Sequence, residues 1–213
     1  MGKEDMLRVV HLNNRMHGDE KELKRILGAM DKIDRRYFVL DQYQSEAYED
    51  IPLPIGRGQT ISQPTTVARM LLMAKIKKGM NILEVGSGSG WNAGLSAYLA
   101  YPGKVISVER IPELSEFSKE NINKLKKEMK AELNVEFMGG SVFSFNELTR
   151  QRFDLVIVTA AGEKSLVDRL KKFNFSKLIV PTKEGALEIW RKKGKKIELE
   201  HREMGYAFVP LMR

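Results

Sequence analysis

The sequence predicts an α/β fold: a doubly wound, mostly parallel sheet, Rossmann-like in plan, with a helical extension at its N-terminus and an antiparallel hairpin at its C-terminus. Three observations carry that expectation. Short apolar runs recur through residues 82–181 with helix-patterned segments between them, the rhythm of strand–helix–strand units. The run at 153–158, Phe-Asp-Leu-Val-Ile-Val, is apolar almost without a break and so belongs in the middle of a sheet covered on both faces. The run at 82–85 ends in Gly86-Ser87-Gly88-Ser89-Gly90, where alternate glycines let a strand turn sharply into a helix beside a ligand.

Taken in order, residues 5–27 place Met6, Val9, Val10, Leu23, Ile26 and Leu27 at helical spacing around a polar break at 13–19, which predicts two short helices. Residues 29–48 continue with Met30, Ile33, Tyr37, Phe38, Leu40 and Tyr43, a helical region whose aromatic end is expected to pack on the core. Prolines and glycines between 52 and 58 forbid a continuous helix, yet residues 48–64 are too apolar for a disordered linker. An ordered loop is expected there. Residues 65–75 read as a helix with Val67, Met70, Leu71 and Ala74 on one face and Ser62 or Thr65 as its cap; its free amides suit a carboxylate.

Beyond the glycine turn, a helix begins near Trp91 and a second strand closes on Glu109. Pro112 opens a long helix to about residue 131, followed by strands at 134–138 and 153–158. A helix at 165–173, a fifth strand at 177–181 and an antiparallel pair at 186–190 and 197–200 complete the chain, the pair separated by a basic turn at 191–196. Residues 1–55 form an N-terminal helical, substrate-side segment and residues 56–213 the core, together one compact unit. A ligand of such a sheet lies at the carboxyl ends of its strands.

Composition sets the bounds. The 213 residues suffice for one full-sized core with an appendage. No apolar run approaches the length that crosses a bilayer, and the N-terminus lacks the apolar stretch of a signal peptide, so a cytoplasmic protein without membrane contact is expected. The absence of cysteine excludes disulfides, thiolate catalysis and Cys-based metal sites. His11 and His17 have no second ligand at metal spacing, and no metal is expected. The net charge of +8 has local explanations: Lys124, Lys126, Lys127 and Lys130 complement the end of a helix dipole, and the basic turn is exposed. Nucleic acid is therefore not the expected partner, and a monomer is.

Two acids sharpen the glycine turn. Nucleotide, flavin and sulfonium cofactors all use such a turn, but Glu84 sits inside the strand end where a nicotinamide site keeps an apolar residue. Glu109 ends the next strand about 20 residues on, where an acid accepts ribose hydroxyls. The spacing Gly-x-Gly-x-Gly, rather than Gly-x-Gly-x-x-Gly, moves the reading from dinucleotides towards S-adenosylmethionine. Here the sequence resembles the class I methyltransferases.

The resemblance narrows with the run Ala47-Tyr48-Glu49-Asp50, Leu53-Pro54-Ile55-Gly56 and Gly58-Gln59-Thr60-Ile61-Ser62, which is similar to the protein-L-isoaspartate O-methyltransferases. Matches in the same order lie at residues 83–90, at 107–114, at Val158-Thr159-Ala160-Ala161 and at Phe208-Val209-Pro210-Leu211. The resemblance implies methyl transfer from S-adenosylmethionine to the free carboxylate of L-isoaspartyl residues in aged peptides and proteins. It implies that Glu84, Gly86, Ser87, Gly88 and Gly90 hold the methionine part of the cofactor and Glu109 its ribose, with Arg110, Ser141 and Thr159 also on the cofactor side. It places Thr60 and Ser62 at the reacting carboxylate, with Ile55, Gln59, Ile61, Ala160 and Val209 around the substrate. Ser62 is then a hydrogen-bond donor and not a nucleophile.

The chain departs from the family pattern at Gly139-Gly140-Ser141, where members usually carry Gly-Asp-Gly, at Thr65 after Pro64, where many have His, and at Gly162-Glu163-Lys164. Two rivals stay open: an RNA methyltransferase on the same fold, and a cofactor-binding homologue without turnover. Against the first, the chain has neither an Asn-Pro-Pro-Tyr motif nor a cysteine to attack a pyrimidine.

Overall fold

The computed structural model describes residues 1–129, 132–194 and 196–211. Helices α1 (Lys3–Asn14) and α2 (Glu20–Lys32) flank the polar break, and the Asp19 carboxylate caps α2 by accepting the Lys21 N–H at 3.1 Å. Met6 and Val10 of α1 and Leu23, Ile26 and Met30 of α2 bury one apolar stripe in the main core. Where sequence suggests continued helix, α2 stops at Lys32 and two 3-10 turns follow, Arg35–Phe38 and Asp41–Glu46. Asp34 causes the break: its carboxylate accepts the Arg36 N–H at 3.0 Å, a local bond that competes with the helical ladder.

The expected loop at 48–64 is more regular than foreseen. Strands β1 (Leu53–Gly56) and β2 (Gln59–Ile61) pair antiparallel, and Arg57 and Gly58 at the tip both take positive φ, as a two-residue hairpin turn requires. Such short strands, one broken by Pro54, leave no alternation to read. Helix α3 (Pro64–Ala74) follows. Its cap is neither Ser62 nor Thr65 but Asp50, which accepts the Thr65 N–H at 2.8 Å and its hydroxyl at 2.7 Å.

The rest alternates as expected, with the short helix α6 an addition not foreseen: β3 (Ile82–Val85), α4 (Trp91–Ala100), β4 (Val105–Glu109), α5 (Pro112–Met129), β5 (Val135–Gly139), α6 (Asn146–Arg150), β6 (Arg152–Val158), α7 (Lys164–Leu170), β7 (Asn174–Pro181), β8 (Ala186–Lys193) and β9 (Lys196–Met204). The end of the helix foreseen to residue 131, with Lys130, lies outside the described residues, as does Lys195. Strands β8 and β9 run deeper into the basic segment than foreseen, because pairs between the two strands such as Arg191 with Glu200 and Lys193 with Glu198 let charged side chains stay in the ladder. No helix among the described residues is long and apolar enough to cross a membrane.

The seven strands run in the order β5-β4-β3-β6-β7-β8-β9, parallel through β7 and antiparallel at β8 and β9. β6 is central, as its apolar run required. Its residues alternate between two cores: Leu155 and Ile157 face the helical layer of α1 to α5, and Val156 and Val158 face the layer that includes Leu166 and Leu170 of α7. The N-terminal helices share the first of these cores with the sheet. Burying each such side chain contributes about 1.5–3 kcal/mol, so the sheet is a rigid base for its upper edge. Strand order reverses between β3 and β6, which opens a crevice at their carboxyl ends.

Candidate active site

At this crevice the turns leaving β3, β4, β5 and β6 enclose a cavity of about 290 Å³. Gly86 and Gly88 form one wall, residues 108–111 a second, residues 140–143 a third and residues 159–162 the fourth. Gln59 and Thr60 of the hairpin and Val209 and Leu211 of the C-terminal segment cover it. That segment is strapped down by Ala161, whose N–H donates to the Val209 carbonyl at 2.8 Å and whose carbonyl accepts the Leu211 N–H at 2.9 Å.

The glycine turn is packed too tightly for side chains. Gly86 takes φ of 99°, and a Cβ there would lie 2.6 Å from the Thr159 hydroxyl, which donates to the Gly86 carbonyl. Glu109, only 7% exposed, accepts the Gly88 N–H at 3.0 Å and the Ile111 N–H at 2.9 Å. The carboxylate thus pins the turn to the tip of β4 while lining the cavity. The hairpin lies directly on the turn: Ile55 Cδ1 is 3.4 Å from where a Cβ on Gly88 would be, and Arg57 at its tip pairs with Glu113 of α5.

Glu84 sits behind the turn and does not line the cavity. It is fully buried, accepts Asn92 Nδ2 at 2.7 Å and the Ser107 hydroxyl, and Ser107 Oγ is 2.6 Å from Ser87 Oγ. Burial pushes its carboxyl up to about 7, the bonds from Ser107 and Asn92 pull it part of the way back, and the neighbouring Glu109 charge adds to the rise. Asn92, Glu84, Ser107 and Ser87 thus form a polar bracket that holds the glycine turn from below.

A second cavity of about 50 Å³ lies on the other side of the turn. Ile61, Ser62, Ser87, Ser89 and Asn92 are among its lining residues, and Thr60, Gly86, Gly88 and Thr159 line both cavities. Asn92 Oδ1 is buried there without a partner among the described residues.

The expected site residues therefore divide. Gly86, Gly88, Glu109, Arg110, Ser141, Thr159, Gln59, Thr60, Ala160 and Val209 line the larger cavity, and Ser62, Ile61 and Ser87 the smaller. Glu84, Gly90 and Ile55 line neither cavity: Glu84 lies in the bracket, Gly90 heads α4 against Ser118, and Ile55 is buried where the hairpin packs on the turn. Ser141 caps the 3-10 turn Val142–Ser144 by accepting the Phe143 N–H at 3.4 Å.

Comparison with known proteins decides the family. The family model for protein-L-isoaspartate (D-aspartate) O-methyltransferases matches residues 8–213. The chain belongs to that family. It is 43% identical over 189 residues to the protein-L-isoaspartate O-methyltransferase of Pyrococcus abyssi, covering 85% of this chain and 83% of that one. Against the enzyme of the same name from Methanococcoides burtonii it is 39% identical over 191 residues, covering 89% and 92%. Among solved structures it resembles the crystal structure described as the protein-L-isoaspartate O-methyltransferase of Plasmodium falciparum in complex with S-adenosyl-L-homocysteine. The TM-score is 0.82 at 27% identity, over 100% of this chain and 99% of that one. This chain is accordingly an S-adenosylmethionine-dependent methyltransferase of the isoaspartate family.

A side chain in place of the family's usual acid after the third parallel strand would be strained here. Gly140 takes φ of 139°, and the Phe145 ring lies 3.2 Å from where its Cβ would be. Sequence reading missed Asn92 and Ser107, ordinary polar residues in a helix and a strand that gain meaning only once the turn folds over them. It also missed Phe143, with the Arg169 guanidinium 3.7 Å over its ring at the cavity rim, and Lys183, which pairs with Glu163 at 2.8 Å. A Phe and an Arg 26 residues apart carry no signal in sequence.

Proposed function

We propose that the chain performs its family's reaction across the wall shared by the two cavities, with S-adenosyl-L-methionine in the larger and the free α-carboxylate of an L-isoaspartyl residue presented at the β1–β2 hairpin. The observation that carries this reading is that Thr60, Gly86, Gly88 and Thr159 line both cavities, so that donor and acceptor groups meet at one partition. The residues suit the donor. Glu109 offers an acid at a strand tip to paired ribose hydroxyls, Gly86 and Gly88 expose backbone to close approach, and Asn92 Oδ1 is a buried acceptor free to take a primary ammonium. Arg110, Ser141 and Phe143 form the wall on the nucleoside side.

When bound, the donor supplies an electrophilic methyl carbon on a positively charged sulfur. The acceptor needs no general base, because a carboxyl group is already ionised at neutral pH. The chain's task is placement and exclusion of water. The Thr60 and Ser62 hydroxyls donate to the incoming carboxylate and aim its oxygen, while Gln59, Ala160 and Val209 border the peptide around it. Ile61 and Ile55 support the hairpin from below, and Glu84, Ser87 and Gly90 hold the turn in shape. The methyl ester is open to attack at its carbonyl where the ionised carboxylate is not, so the following backbone nitrogen closes on it with loss of methanol, giving a succinimide that takes up water and reopens in part to normal aspartate. Repair of aged proteins follows. One chain that carries both halves of the site supports a monomer, and a composition without cysteine supports a cytoplasmic enzyme.

The test is methyl transfer from labelled S-adenosylmethionine to an isoaspartyl peptide and to its aspartyl twin. A base-labile methyl ester on the first alone is expected. Equal labelling of both, or labelling of RNA instead, would overturn the reading.

A further inference from the structure

Arg35 is the largest buried charge that the reaction does not use. It is 0% exposed, and its guanidinium donates to four backbone carbonyls: Ala47 at 2.9 Å, Glu49 at 3.0 Å, Ile51 at 2.8 Å and Ser62 at 3.1 Å. The guanidinium lies 5.4 Å from the centre of the Trp91 ring, on the first residue of α4 after the glycine turn. Residues 47–51 belong to no helix or strand, so their carbonyls have no ladder to satisfy them. Burying a guanidinium is costly unless its donors are met, and burying loop carbonyls is costly unless their acceptors are met. Arg35 and the loop offset much of each other's penalty through the two terminal nitrogens, while Arg35 Nε is itself buried without a partner among the described residues.

The neighbouring residue works on the same loop. Asp34 accepts the Tyr48 hydroxyl at 2.9 Å, while Asp50, within the loop, caps α3. Ser62 is the point where this clamp meets the site: its carbonyl is on Arg35 and the residue is part of the lining of the smaller cavity.

We propose that Arg35 is the positioning residue of the acceptor loop: by gathering the carbonyls of residues 47, 49, 51 and 62 against Trp91, it sets Thr60 and Ser62 in place relative to the glycine turn. The inference rests on the assignment of those two hydroxyls to the acceptor carboxylate. A planar fork is needed because the four carbonyls arrive as two pairs, one pair on each terminal nitrogen. Lysine, a compact point donor on a flexible stem, keeps the charge and loses that geometry.

The test compares wild type with Arg35→Lys, reading S-adenosylhomocysteine affinity by calorimetry, KM and kcat on an isoaspartyl peptide, and amide hydrogen exchange. In Arg35→Lys the amides of residues 47–62 exchange roughly tenfold faster or more while those of β3 and β4 do not change. The peptide kcat/KM falls roughly tenfold or more, and the homocysteine affinity stays within about threefold of wild type, because displacing an orienting group by an ångström is enough to spoil alignment. An unchanged peptide kcat/KM, unchanged loop exchange, or a loss of homocysteine affinity as large as the loss of peptide kcat/KM would each overturn the proposal. If Arg35→Lys does not fold, wild-type exchange decides: residues 47–51 and 59–62 open as one unit if a single clamp holds them, and independent opening refutes it. A wild type that fails to methylate the isoaspartyl peptide counts against the assigned reaction, while the exchange data still judge the clamp.

Discussion

Replacing Glu84 with Gln should make the protein more stable at pH 8 and leave it nearly unchanged near pH 4.5. The folded carboxyl titrates at about 7, well above the ordinary 4.5, chiefly because it is fully buried. The folded protein therefore holds this proton where the unfolded chain has lost it. The resulting contribution is complete below about 4.5, declines as pH rises, and is gone above about 7, where both states are ionised. Each pH unit of that gap is about 1.4 kcal/mol, so a buried charge at Glu84 costs up to ~3 kcal/mol at pH 8. Gln has the same shape and no charge to bury. It can accept the Ser107 hydroxyl and donate to the partnerless Oδ1 of a rotated Asn92 amide, so neither neighbour is stranded. For a chain of this length, roughly 2–4 °C per kcal/mol gives a rise in Tm of roughly 6–12 °C at pH 8. Calorimetric melting of both proteins from pH 4.5 to 8 reads the effect, and other carboxyl groups cancel in the comparison. A difference between the two that is the same at every pH would refute the claim that Glu84 is a buried acid ionised against its surroundings.

Other substitutions separate the parts of the site. Glu109→Ala removes the acceptor of the Gly88 and Ile111 amides, each a bond of about 1.5–3 kcal/mol to a charged group, and should weaken S-adenosylhomocysteine binding roughly tenfold to a hundredfold by calorimetry. Ser62→Ala should lower kcat for the isoaspartyl peptide by roughly tenfold or more with little change in homocysteine affinity; the reverse pattern would exchange the roles given to Glu109 and Ser62. Gly86→Ala combines a positive φ with a Cβ 2.6 Å from the Thr159 hydroxyl, and should lower stability by about 1–3 kcal/mol in denaturant titration.

Much of the fold was legible because its signals are local. The apolar run at β6, the glycines after β3 and the opening Pro112 each state their element within a few residues, and the sheet order follows from their alternation. The β1–β2 hairpin was not legible, because strands of four and three residues leave no period to detect. The end of α2 was hidden in the same way, set by one Asp34 side chain turning back on its own backbone. For the site, the place of Glu109 beside the cavity could be read from its position at a strand tip. The surroundings of Glu84 could not be read, since its Ser–Asn bracket depends on residues 107 and 92 arriving from other elements. Arg35 was invisible because its partners are backbone carbonyls, which every sequence has.

The proposed reaction needs one site in which Glu109 and the glycine turn hold the donor against a hairpin that holds the acceptor. A crystal structure of this chain with S-adenosyl-L-homocysteine tests that most directly. The ribose hydroxyls should lie within hydrogen-bond distance of the Glu109 carboxylate, with the sulfur at the wall formed by Thr60, Gly86, Gly88 and Thr159 and turned towards Ser62. Ligand bound elsewhere, or Glu109 pointing into solvent with protein side chains filling the cavity, would contradict it.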